Sequence, residues 1–112
     1  MAQRKELRIH NKSDKPDNIV LKEHEIASRC EAIQERLPSF MSGYFVYLKG
    51  NVLPMSRLAY LQDIQFFCEY LIHHSGLTAA KRPKDIKLKE FAAIRGVDIN
   101  LFIDYCRKYE KE

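Results

Sequence analysis

Long apolar runs are missing from this 112-residue chain: no stretch approaches the roughly 20 residues of a membrane span. The opening "MAQRKELRIHNKSDKPDN" lacks the apolar centre of a secretory signal. Glycine is scarce. Gly43, Gly50, Gly76 and Gly96 stand singly as helix punctuation, which excludes a glycine-rich phosphate loop. Cysteine is limited to Cys30, Cys68 and Cys106, far apart with no paired spacing and each in an apolar helical register. They predict buried, reduced thiols and a cytoplasmic setting. Strand alternation bounded by hairpin turns is absent, as are repeats and low-complexity segments.

The same sparseness bears on chemistry. His73 and His74 are adjacent, about 100° apart on a helix, and no third or fourth ligand clusters with them. A metal site is therefore not expected, and these imidazoles suit a helix C-terminus. No Ser or Cys sits beside a His and a carboxylate in any known nucleophilic arrangement. Glu23 and Glu25, and Glu31 and Glu35, read as solvated helix charges. The chain is expected to be no enzyme, to take no cofactor and to have no membrane role.

What the sequence does hold is one small domain's worth of apolar residues, 46% of the chain, with 30% charged. The net charge is +4, mild enough to permit a polyanionic partner without demanding one. Residues 1–36 carry eight bases and seven acids, residues 37–75 two of each, and residues 76–112 nine bases and six acids. The surplus thus gathers near Lys81, Arg82, Lys84, Lys87 and Lys89, opposed there by Asp85 alone until Glu90. That cluster is either a solvated connector or a phosphate contact.

Periodicity predicts an all-α bundle of four to five helices. Residues 1–17 are polar and aperiodic and predict a disordered arm ahead of a helical domain over 18–112. Ile19, Ile26, Cys30, Ile33 and Leu37 share one helical face and predict a first helix ending near Pro38. Phe40, Met41, Tyr44, Phe45 and Leu48 predict a second, with Gly50 as a left-handed cap. Ser56 is the expected N-cap of a third, with Leu61, Ile64, Phe67, Cys68, Leu71 and Ile72 inward and Ser75 and Gly76 at its end. Leu88, Phe91 and Ile94 predict a short fourth helix capped by Gly96. Asp98 is expected to cap a fifth that buries Ile99, Phe102, Cys106 and Tyr109.

The third helix offers the best geometry for a ligand. A helix N-terminus presents free N–H donors and partial positive charge to an anion. Ser56 and Arg57 would reinforce it, Arg57 being expected off the apolar stripe, with Tyr60 bordering the stripe and Lys49 arriving from the preceding helix. Ser56 as a plain cap and Tyr60 as plain core explain the same residues.

"LPSFMSGYFVYLKGNVLPMSRLAYLQDIQFFCEYLI" followed by "DIKLKEFAAIRGVDINLFIDYC" resembles the N-terminal SAM-like core-binding domain of the tyrosine recombinase (phage integrase) family. Tyr47-Leu48, Ser56, Tyr60, Asp63, Phe67 and Tyr70-Leu71 carry the likeness. Asp98-Ile99, Phe102 and Tyr105 are similar to the following helix in integrases of mobile elements of Gram-positive bacteria. It spans about residues 37–109. Departures occur at Pro54-Met55-Ser56, at Gln62 and at Lys87, where the family favours hydroxylated residues, a base and a hydroxylated cap.

The resemblance implies a fragment of a longer protein, lacking the catalytic domain and a further DNA-touching helix, so that no tyrosine here is the nucleophile. It implies a module that clamps one face of a double-stranded recombination half-site and meets other recombinase protomers in the synaptic complex, while the isolated fragment stays monomeric. Lys49, Ser56, Arg57 and Tyr60 would then hold phosphates, joined by Lys81, Arg82 and Lys84 of the basic loop, with Gln62 and Gln65 as base readers. The alternative is a helical protein-interaction module with no nucleic-acid role.

Overall fold

A computed structural model describes residues 17–111, with side chains over residues 20–109. Within that range the chain is all-helical. It comprises α1 (Asp17–Arg36), α2 (Ser42–Asn51), α3 (Pro54–Tyr70), α4 (Leu88–Ala92) and α5 (Gly96–Lys111), with no strand among the described residues. The arm expected over residues 1–17 lies outside the described residues, apart from Asp17, which opens α1.

The 4-3-4 spacing of Ile26, Cys30, Ile33 and Leu37 turns one face of α1 onto α3, the most extensive helix pairing in the bundle. Pro38 breaks the chain, and the single 3₁₀ turn Ser39–Met41 redirects it into α2. Phe45 and Leu48 bury themselves against the same core. Gly50 supplies no left-handed cap, contrary to expectation. The helix runs on through Asn51, whose Nδ2 donates to the Tyr47 carbonyl at 2.8 Å, and extended Val52 ends it. An amide able to satisfy a last-turn carbonyl removes the need for positive φ there.

Ser56 is likewise not the N-cap of α3. Leu53 holds that place without a side-chain bond, and Pro54, which has no N–H to leave unsatisfied, takes the first helical position. Ser56 becomes the third residue of the helix. The far end of α3 widens into a π-turn over Leu71–Ser75, containing His73 and His74, which Gly76 closes at φ 72°. The Ser75 hydroxyl donates to the Leu71 carbonyl at 2.7 Å and accepts the Leu77 N–H at 3.0 Å.

The connector that follows is tied down rather than free. Thr78 donates its hydroxyl to Glu90 Oε1 at 2.8 Å, and Pro83 and Ile86 are buried. Glu90 also accepts the Lys87 N–H at 2.9 Å, so α4 is capped from its third residue without any hydroxylated cap. Together these hydrogen bonds hold the Glu90 carboxyl below the usual carboxylate range. Gly96 does not cap α4 but begins α5, and Asp98 is the third residue of α5 rather than its N-cap, its Oδ2 accepting the Arg95 N–H at 2.8 Å.

α5 is held chiefly by rings. Phe102 meets Phe67 edge-on at 4.7 Å and Tyr70 at 5.0 Å, while Tyr105 and Tyr109 pack on Phe66 at 6.0 and 5.3 Å. Ile99 and Tyr109, expected inside, are exposed, Tyr109 keeping only its ring contacts, and Tyr105 takes part in the inward face instead. Cys30 and Cys68 are buried and Cys106 is half-buried, and no disulfide joins them among the described residues. Burial pushes the Cys68 thiol up to about 12, and burial raises Cys30 despite the nearby Arg57 guanidinium. Neither is a nucleophile at neutral pH.

Candidate nucleic-acid interface

Arg57 does not reach solvent. Its side chain is only 6% exposed and lies among the buried residues of α3, with Nη2 donating to Gln34 Oε1 of α1 at 2.9 Å. Its Nε is buried and meets no acceptor among the described residues. Arg57, Leu61, Ile64 and Cys68 are spaced by four, three and four, so Arg57 belongs to the inward stripe it was expected to avoid. The start of α3 therefore loses the base meant to reach solvent. Ser56 is half-buried there, Tyr60 is exposed one turn on, and Lys49 is exposed in the last turn of α2. Gln62 faces outward.

A different set converges. The loop after the π-turn folds back so that Arg82 and Lys84, with Pro83 between them, face the end of α1 and the middle of α3. Glu35, Arg36, Gln65 and Glu69 complete a cleft of about 250 Å³. Lys84 Nζ donates to the Glu35 carbonyl at 3.3 Å, where a helix C-terminus presents partial negative charge. Arg82 grips Asp85 through Nε at 3.0 Å and Nη2 at 3.2 Å, which lowers the Asp85 carboxyl below its ordinary range. Glu69 lies 3.3 Å from His73 Nε2.

Three bases and two carboxylates thus line the cleft, with Asp85 beside it already engaged by Arg82. Pro83 fixes the loop by its burial, so Arg82 and Lys84 are presented from an anchored backbone. Lys81 is exposed beside them, and the basic run continues with Lys87 at the N-cap of α4 and Lys89 within it. Such an arrangement can accept a phosphate oxygen at its rim while Gln65 offers both a donor and an acceptor from the wall. Sequence spacing had no means of joining Arg36 to this set. Its only sign was a base in the last turn of α1, two residues before Pro38.

Among the described residues no group of three or more His, Cys, Asp or Glu is placed to hold a metal ion, and no helix is long and apolar enough to cross a membrane. Compared with known proteins, the chain matches no family model, no curated protein and no solved structure.

Proposed function

We propose that this chain is a non-catalytic, double-stranded DNA-binding module of a site-specific tyrosine recombinase, working in a reducing cytoplasm beside other recombinase protomers. The observation that carries the proposal is the convergence of Arg36, Arg82 and Lys84 with Gln65 on one cleft, flanked by exposed Lys81. Phosphate contacts from these bases would orient the module, and Gln65, with Gln62 further round α3, would meet base edges. Lys49 and Tyr60 are peripheral contacts in this reading, and Arg57 is a structural residue. The resemblance of residues 37–109 to recombinase core-binding domains supports it from the sequence side.

Titration with a short duplex at several salt concentrations tests the proposal. Affinity is expected to fall with salt as counterions are released. Arg36→Ala and Lys84→Ala should each reduce the salt slope by about one while leaving the fold intact. Salt-independent binding, or slopes unchanged in both variants, would remove the cleft from the interface. A second reading, a protein-interaction module, is favoured by the apolar flank of α5, where Val97 is 52% and Leu101 54% exposed. It predicts no duplex affinity at any salt.

A further inference from the structure

An open groove of about 550 Å³ lies on another side of α3, walled by Phe40, Met41, Tyr44, Ile64, Phe67 and Phe91. Its rings brace one another: Phe91 meets Phe40 at 5.5 Å and stands edge-on to Phe67 at 6.0 Å, so the apolar wall is formed before anything enters it. Among the described residues Asp63 is the only charged side chain lining the groove. It is exposed, and it has no ion-pair or hydrogen-bond partner among the described residues. Phosphate backbones are repelled by such a rim, which separates this groove from the basic cleft in chemistry as well as in place.

We propose that the groove docks a protein segment presenting an aromatic or branched apolar side chain next to an arginine or lysine. The apolar walls take the side chain out of water, and the exposed Asp63 carboxylate selects the neighbouring cation. The occupant is a protein segment rather than a small molecule because the groove cannot enclose its guest. Tyr44 remains 43% exposed at its edge, so the covering surface has to come with the partner. Asp63 stands four residues before Phe67, on the same helical face, which sets the cation about one turn from the anchoring ring.

Two acetylated dipeptide amides, phenylalanyl-arginine and phenylalanyl-glutamate, provide the probe, followed by aromatic and methyl chemical shifts of the full chain. The arginine peptide is expected to move the resonances of Phe40, Ile64, Phe67 and Phe91 and to bind about two- to fivefold more tightly than the glutamate peptide, as an exposed ion pair allows. Asp63→Asn, a change at an exposed position, should bring that ratio to about one, and Tyr44→Ala should weaken both peptides. Equal affinities for the native chain would overturn the proposal. So would shifts that spare these residues at millimolar peptide.

Discussion

The two halves of α3 are buried by opposite means. Its first half meets α1 through a polar contact set in an aliphatic frame, where the Arg57 guanidinium reaches Gln34 and leaves Nε without an acceptor. Its second half meets α5 through rings, with Phe66, Phe67 and Tyr70 packed against Phe102, Tyr105 and Tyr109. A guanidinium taken out of water without a carboxylate forfeits hydration that one neutral hydrogen bond restores only in part. Stacked and edge-on rings carry no such debt. The α1–α3 contact therefore gains its stability from Leu37, Leu58 and Leu61 around the arginine, while the α3–α5 contact gains it from the aromatic residues themselves.

The largest test of this contrast is Leu61→Ala. Leu61 is fully buried in the α1–α3 core, and its truncation should lower unfolding free energy by about 3–5 kcal/mol in chemical denaturation, for the whole chain at once. Phe102→Ala should cost about 3 kcal/mol and act locally, with hydrogen exchange in α5 accelerating more than in α1. Uniform acceleration would show that the two contacts form a single cooperative unit. Arg57→Ala should cost about 2 kcal/mol through lost packing of the aliphatic stem, whereas Arg57→Met should keep stability within about 1 kcal/mol or raise it. A methionine variant as unstable as the alanine one would mean that the guanidinium contributes more than it loses to desolvation.

Two smaller effects sharpen the contrast at the ends of the connector. Gly76→Ala should cost about 1–2 kcal/mol in thermal or chemical unfolding, because its φ of 72° is strained for any residue with a Cβ, and no neighbour lies within 4 Å to add a clash. Glu90 supplies a proton-linked term. Its carboxyl is depressed by hydrogen bonds from Lys87 and Thr78, so its contribution is present above the ordinary glutamate value of the unfolded chain and is lost as pH falls through the lower folded value. Stability measured across that acid range should fall less steeply in Glu90→Gln than in the native chain.

Much of this architecture is legible in the chain's spacing. The 4-3-4 repeat of Ile26, Cys30, Ile33 and Leu37 leaves α1 one face to bury, and Pro38 ends it whatever it packs against. The helix ends were harder. Ser56, Gly50, Gly96 and Asp98 are all residue types that cap helices, yet each sits one to three places inside one: Pro54 has no N–H to satisfy, Asn51 and the Ala93 and Ile94 N–H groups satisfy the C-terminal carbonyls of α2 and α4, and Asp98 accepts the Arg95 N–H from within α5. The candidate site shifted for a related reason. Arg57 carried the expected anion site because arginine is ordinarily solvated, and its 4-3-4 relation to Leu61, Ile64 and Cys68 was the contrary signal.

Apolar periodicity and proline position settle that the described chain is helical, about where its helices lie, and which stripe of α1 turns inward, since these follow from local backbone preferences and from the hydrophobic effect acting on one helix at a time. Which neighbour covers each face was decided only when the helices packed. Tertiary contact alone brought Gln34 to Arg57, Arg36 and Gln65 to the basic loop, and Phe40 and Phe91 to Phe67 beside Asp63. Those juxtapositions join residues up to 51 positions apart, as Phe40 and Phe91 show, and no local preference extends beyond a few turns of helix.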